Sequence, residues 1–256
     1  MLLPLQRGIL YGPVESRRLG RSLGINLMPT GFKLCSFNCV YCHYGWTKKH
    51  TLDFRSSHGD LPPMDNVVRA VEEAAKSKIP FDFLTFSGNG EPTLYPDFPE
   101  LVEQVVRIRD RHRPGVRIAL LSNSSGLLYE EVRGIISRID MPVFKLDVGS
   151  KQKFKEINRP AKGIDFAEIV DLLASMRDIY IQTVLVQGSP SNVGKENITS
   201  YFQQLSHIQP REAHIYSIDR PVPNARISLV PPEGLEQIAL QGQRETGVKI
   251  KAFYLK

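Results

Sequence analysis

From Leu61 onward the chain alternates between two periodicities. In Asp65 to Lys76 (DNVVRAVEEAAK) the apolar residues recur three and four apart, which gathers them on one face of an α-helix, and Asp65 offers a cap at its start. Phe81-Asp82-Phe83-Leu84-Thr85-Phe86 is instead a short apolar run bounded by turn residues, which predicts a strand. The exchange repeats as a helix from about Phe98 to Arg111, a strand Val116 to Leu121, a helix Leu128 to Ser137 and a strand Val143 to Asp147. It continues as a helix Phe166 to Met176, a strand Tyr180 to Val186, a helix Lys195 to Leu205, a strand Ala213 to Ser217 and a helix Glu233 to Glu245, then a last apolar run, Val248 to Tyr254. Ahead of these, Tyr11 to Ser22 reads as an irregular, glycine-punctuated entry, and Leu23 to Met28 as a short strand ending at Pro29. Strands alternating with helices of ordinary length specify an α/β fold of right-handed βαβ units around a parallel sheet. About six such units are too few for an eight-stranded barrel, and a doubly wound open sheet is the runner-up architecture.

With 256 residues, 41% of them hydrophobic, and no duplicated segment or long linker, the expectation is a single domain over 1–256: an entry segment 1–22, a core 23–220 and a C-terminal helix and apolar segment 221–256. A modest net charge of +6 is compatible with a polyanionic partner such as RNA or another nucleotide-containing substrate through long-range attraction, and equally with a basic enzyme that has no nucleic-acid role. No stretch approaches the roughly 18 apolar residues of a membrane span, and the first residues lack the basic-then-apolar order of a signal peptide, so a cytoplasmic protein with no membrane partner is expected.

All three cysteines fall in Cys35-Ser36-Phe37-Asn38-Cys39-Val40-Tyr41-Cys42. An odd, clustered set argues against a secreted disulfide framework and for a reducing compartment. Such spacing lets a loop curl its thiols around one centre. Zinc would want a fourth ligand, for which His43 is the neighbour; a cubane iron-sulfur cluster takes three thiolates and leaves one iron open; three unrelated buried thiols are the plainest alternative. Phe37, Tyr41, Tyr44 and Trp46 either keep water from the centre or simply pack the loop.

In Gly88-Asn89-Gly90-Glu91-Pro92-Thr93 the glycines permit close backbone approach at a strand end, and Glu91 can accept hydrogen bonds from an ammonium group; a tight connection is the bland alternative. Ser122 and Asn123 follow one strand and Asp147 ends the next, where a carboxylate suits ribose hydroxyls or caps the following segment. Arg17, Arg18 and Arg21 form either an anion clamp or a solvated face, and Arg159 and Arg220, in loops, are candidate substrate anchors.

Cys35, Cys39 and Cys42, with Tyr41 just before the last, resemble the cluster motif of the radical S-adenosylmethionine (SAM) superfamily, and Gly90-Glu91-Pro92 resembles its Gly-Gly-Glu-Pro motif with Asn89 replacing the first glycine. The resemblance covers roughly residues 12 to 220. It implies a partial (β/α)6 TIM-like barrel of parallel strands whose 4Fe-4S cluster, reduced by a flavodoxin or ferredoxin-type donor, cleaves SAM to methionine and a 5'-deoxyadenosyl radical. Carried over residue by residue, it implies that the three cysteines bind the cluster beside Tyr41, Gly90 and Glu91 hold the methionyl amino group, Ser122 and Asn123 hold the sugar or carboxylate, Asp147 holds the ribose, and Val184 packs on adenine. The strings around Ser16 to Gly20, Phe86 to Tyr95 and Ile157 to Pro160 are most similar to a compact branch related to the wyosine-base (4-demethylwyosine) synthases. Those enzymes carry extra cysteines for a second cluster, and this chain has none. The expectation is a single-cluster radical enzyme, with RNA or a nucleotide as its target. The alternatives are an activating enzyme that installs a glycyl radical on a protein partner, and a noncatalytic SAM or nucleic-acid binding module.

Overall fold

The computed structural model describes residues 2–53 and 55–255, the Ser56 side chain excepted. Its strands are β1 (Leu10–Ser16), β2 (Gly20–Ile25), β3 (Leu34–Cys35), β4 (Lys49–His50), β5 (Phe83–Phe86), β6 (Arg117–Ser122), β7 (Met141–Lys145), β8 (Tyr180–Gly188), β9 (Glu212–Ser217), β10 (Ile227–Leu229) and β11 (Ile250–Phe253). Its helices are α1 (Met64–Lys76), α2 (Phe98–His112), α3 (Glu130–Ile135), α4 (Lys151–Ile157), α5 (Phe166–Ser175), α6 (Lys195–Ile208) and α7 (Pro232–Thr246).

The main sheet runs β1-β2-β5-β6-β7-β8-β9-β11, parallel throughout except that β1 is antiparallel to β2 and a side strand, β10, is antiparallel to β8. The chain therefore steps across the sheet in one direction. A doubly wound sheet reverses its strand order at a switch point, and no reversal occurs here. The expected partial barrel of parallel strands is the observed one, with β11 adding a further parallel strand beyond β9.

Strand residues alternate between two faces. Phe83, Ala119, Met141 and Val143 turn inward and form a small apolar cluster with Leu19. Leu84, Phe86, Ile118, Leu120, Phe144 and Ile181 turn outward into the large core beneath the helices, against residues such as Val71, Leu101 and Leu205. The same alternation places Leu121 and Lys145 on the inner side, toward the carboxyl ends of their strands, where α/β barrels build their sites.

Three segments differ from the sequence reading. The entry segment is not irregular: β1 pairs with β2 as a hairpin, interrupted by a register shift between Tyr11 and Val14. The helix expected over Leu128 to Ser137 is α3 with a 3-10 turn on either side, Ser125–Leu128 and Ile136–Arg138; Gly134 inside it lowers helix propensity. The stretch before Asn158 forms α4, capped by the Ser150 hydroxyl accepting from the Lys153 N–H, a helix too short for periodicity to announce. Asp65 lies in the first turn of α1 rather than at its cap position, which is Pro63. Among the described residues no helix is long and apolar enough to cross a membrane.

Candidate functional site

The cysteine loop leaves β3 and is stitched to two other parts of the barrel. The Leu34 N–H donates to Asn89 O (3.3 Å), which fixes the loop's entry against the glycine turn after β5. Asn38 N donates to Asn158 O (3.0 Å) and Val40 N to Ile157 O (3.0 Å), which fix its middle against the end of α4. These bonds bring Cys35, Cys39 and Cys42, all free thiols, to one cavity of about 130 Å³ shared with Gly90, Glu91 and Asn123.

Burial pushes the Cys35 thiol up to about 12 and the Cys39 thiol up to about 11, so both carry protons near neutrality and release them when they ligate a metal. Among the described residues no group of three Cys, His, Asp or Glu side chains converges closely enough to grip a single ion. His43, the candidate fourth zinc ligand, instead has its Nε2 3.8 Å from Asp219 Oδ1. A purely sulfur donor set spread around a cavity fits a multi-iron cluster, whose metal atoms stand apart from one another, better than one zinc.

The glycine turn has steric reasons for its composition. A Cβ on Gly90 would sit 1.6 Å from Leu34 O, so a side chain there would push away the strand that delivers Cys35. Gly88 has φ +122°, and a Cβ there would meet Asn26 Oδ1 at 2.5 Å. Asn89, where the motif has glycine, is fully buried: its Oδ1 accepts from Gln6 N (2.8 Å) and its Nδ2 donates to Gln6 O and Pro29 O (both 2.9 Å). It ties the N-terminal segment to the approach of the cysteine loop. Glu91 Oε1 accepts from Thr93 N, Thr93 Oγ1 and Ser122 Oγ, whereas Oε2, among the described residues, accepts only from Asn123 N (2.5 Å). Burial raises the Glu91 pKa, and these donors pull it partly back. One lone pair of a buried carboxylate on the cavity wall therefore remains for a cation.

Asp147, the residue expected at the ribose, has internal partners in this structure. Its Oδ2 accepts from the Tyr41 hydroxyl and from Asn158 Nδ2 (2.6 Å), its Oδ1 accepts from Val184 N (2.7 Å), and the Lys145 ammonium lies 3.7 Å from Oδ1. All of these partners lie inside the protein, and Asp147, two residues beyond the end of β7 and not among the residues lining the sulfur cavity, anchors Tyr41 and β8. Val184 is likewise buried in the core, its amide used by Asp147. Burial works against the Lys145 charge, but Asp147, Tyr216 and Cys39 hold its pKa above the ordinary lysine value.

The arginines divide. Arg17 pairs with Asp219; Arg18 donates to Gln182 Oε1 (2.7 Å) and stacks 4.8 Å over the Tyr216 ring; Arg21 pairs with Asp82 (2.8 Å). Arg17 and Arg18 hold the β1–β2 turn across to the β8–β9 side, Arg21 holds β2 to the residue before β5, and each of the three thus has a protein partner. Arg159 lies 4.9 Å over the half-exposed Trp46 ring and lines an open, basic hollow with Lys153 and Lys155; Arg220 is exposed, 3.8 Å from Asp219. Sequence reasoning missed Lys33, Lys145, Asn158 and Gln182. A signal existed for one of them: Lys145 interrupts an apolar strand at an inward-facing position.

A family model described as the radical SAM superfamily matches residues 31–189. A protein of Brachyspira hyodysenteriae named GTPase Obg is 30% identical over 233 residues, 89% of this chain and 32% of that protein. The UPF0026 protein MJ1312 of Methanocaldococcus jannaschii is 35% identical over 217 residues, 83% of this chain and 64% of its own length. The chain thus spans between about a third and two thirds of these relatives. Among solved structures, SuiB of Streptococcus suis bound to precursor peptide SuiA aligns with TM-score 0.64 at 14% identity, covering 90% of this chain and 48% of that one. TYW1 with a lysine-pyruvate adduct aligns with TM-score 0.58 at 15% identity, covering 89% and 75%. The sulfur-lined cavity, the glycine turn packed on it and the family match over most of the barrel agree, and the chain belongs to the radical SAM superfamily of enzymes.

Proposed function

We propose that the chain is a radical SAM enzyme in which Cys35, Cys39 and Cys42 hold a 4Fe-4S cluster and SAM takes its open iron. The observation that carries this reading is the convergence of the three thiols and the Gly90-Glu91 turn, distant in sequence, on one cavity. When bound and supplied with an electron by a flavodoxin or ferredoxin-type donor, the cluster and SAM supply reductive cleavage to methionine and a 5'-deoxyadenosyl radical that abstracts hydrogen from a substrate.

The chain's own share is positioning and exclusion of water. Gly90 lets the turn approach the cysteine loop, and Glu91 Oε2 offers its free lone pair to the methionyl ammonium of SAM. The buried Ser122 and Asn123 hold that carboxylate in place by their own donors. Phe37 and Tyr41, both buried, cover the sulfurs from solvent. Asp147 acts one step removed, by fixing the Tyr41 hydroxyl.

For the substrate, the support is the rim. Arg159 stacked on a half-exposed tryptophan, beside Lys153 and Lys155, suits a nucleotide-containing polyanion, with the exposed Arg220 as a further contact and with base stacking and phosphate pairing combined. Such binding weakens steeply with added salt. A cytoplasmic setting follows from the oxygen sensitivity of such a centre. Anaerobic reconstitution followed by dithionite and SAM should yield 5'-deoxyadenosine from the wild-type chain and none from Cys39→Ala. Equal output from the two, or none from either with full iron content, would sink the proposal.

A further inference from the structure

Two of the three cysteine sulfurs in the cavity have a buried amide donor beside them and the turn after the third holds a buried ammonium, and these groups come from three separate parts of the chain. Asn123 Nδ2, after β6, lies 3.5 Å from Cys35 Sγ and 2.9 Å from Ser36 Oγ. Asn158 Nδ2, after α4, lies 3.7 Å from Cys39 Sγ. The Lys33 ammonium, just before β3, donates to Gly45 O (3.0 Å) in the turn that Gly45 N closes on Cys42 O (2.9 Å), and Lys33 lines the cavity together with Cys42.

The orientation of both amides is fixed by other partners. Asn123 Oδ1 accepts from Ser125 N (2.9 Å), which leaves its Nδ2 for the sulfur side. Asn158 Nδ2 must face the Asp147 carboxylate at 2.6 Å, and this orientation leaves Asn158 Oδ1 buried without a hydrogen-bond partner. A buried orphan acceptor is costly, and the opposite end of that amide is shared among Asp147, the Tyr41 hydroxyl (3.1 Å) and the Cys39 sulfur, which packing has brought together. Lys33 is buried as well, only 5% exposed, and lines the same cavity as the three cysteines.

We propose that Lys33, Asn123 and Asn158 act as a matched set of donors, one to each cysteine, that sets the reduction potential of the cluster those cysteines hold. The inference rests on the cluster reading above and adds to it. Reduction adds negative charge to the cluster and its sulfurs, and N–H dipoles and an ammonium fixed at the sulfurs favour the reduced form. They also cost nothing to reorient at the moment of electron transfer, because packing already holds them. Lys33 contributes the most, since it brings a full charge into a site of low dielectric.

The test is an EPR-monitored redox titration of anaerobically reconstituted chains without SAM, so that turnover plays no part. Lys33→Met should shift the reduced-to-oxidised ratio at fixed potential about tenfold toward the oxidised form, which is about 59 mV for a one-electron couple. Lys33→Arg should return most of the shift. Asn123→Ser, which shortens the donor away from Cys35 and keeps the backbone N–H to Glu91, should give a smaller change of the same sign. Unchanged potentials in Lys33→Met and Asn123→Ser, each with full iron content, would overturn the inference while leaving the proposed function standing. A wild-type chain that takes up no cluster would overturn both. If Lys33→Met takes up no iron, Asn123→Ser alone decides by the same criterion.

Discussion

Asp147 shows how far a residue's neighbours decide its role. A carboxylate at a strand end is chemically suited to sugar hydroxyls, and here it also accepts from Tyr41, Asn158 and Val184, with the Lys145 ammonium nearby. Removing one partner of a buried pair leaves the other uncompensated. Asp147→Asn should therefore destabilise the metal-free chain by about 3 kcal/mol in denaturant unfolding; a residue whose only task was to hold a ribose would leave that stability unchanged. On the surface the same chemistry has a different reading. Arg21 beside Asp82 holds that exposed carboxyl down to about 2 from the ordinary 3.8. Because the folded value is the depressed one, any stabilisation is present above the ordinary carboxylate range and is lost as pH falls toward 2. An NMR titration should find the Asp82 carboxyl near 2 in the wild type and raised toward its ordinary value in Arg21→Gln, with the surviving backbone N–H of position 21 holding back part of the return.

At the level of elements, the cysteine loop is held in place by the glycine turn, a relation that spacing alone does not reveal. Gly90→Ala should cost about 1–3 kcal/mol or more and reduce cluster uptake, because the new Cβ meets the Leu34 carbonyl, which is backbone and cannot swing aside. Gly31→Ala, with open space around it, is the control and should unfold like the wild type. Long elements with clear periodicity, such as α2 and β8, were legible in the sequence to within a few residues. The short α4, the β1–β2 hairpin and β10 were not, because their stability comes from what they pack on and pair with rather than from their own pattern. The chemistry-bearing strings Cys35 to Cys42 and Gly88 to Glu91 were legible because their residue types are unusual for packing alone. Lys33, Asn158 and the true partners of Asp147 were hidden, since each is an ordinary residue that becomes informative only beside another.

Across the whole molecule, strands laid down in chain order make a curved parallel sheet whose strand ends face one mouth, and the loops gathered there bring the three sulfurs together. The hairpin turn carrying Leu19 reaches the inner layer, and Arg17 and Arg18 tie it to the far side, so the basic residues nearest the N-terminus serve the architecture. The open hollow beside Arg159 holds Lys155 and the Lys153–Glu156 ion pair as well. All of this matters to function only if the three cysteines converge on one cluster with an open iron. Mössbauer spectroscopy of the chain reconstituted with ⁵⁷Fe examines that point most directly. The account predicts a cubane signature in which adding SAM changes the spectrum of one iron and leaves the others as they were. A spectrum indifferent to SAM, or one showing only isolated iron, would contradict it.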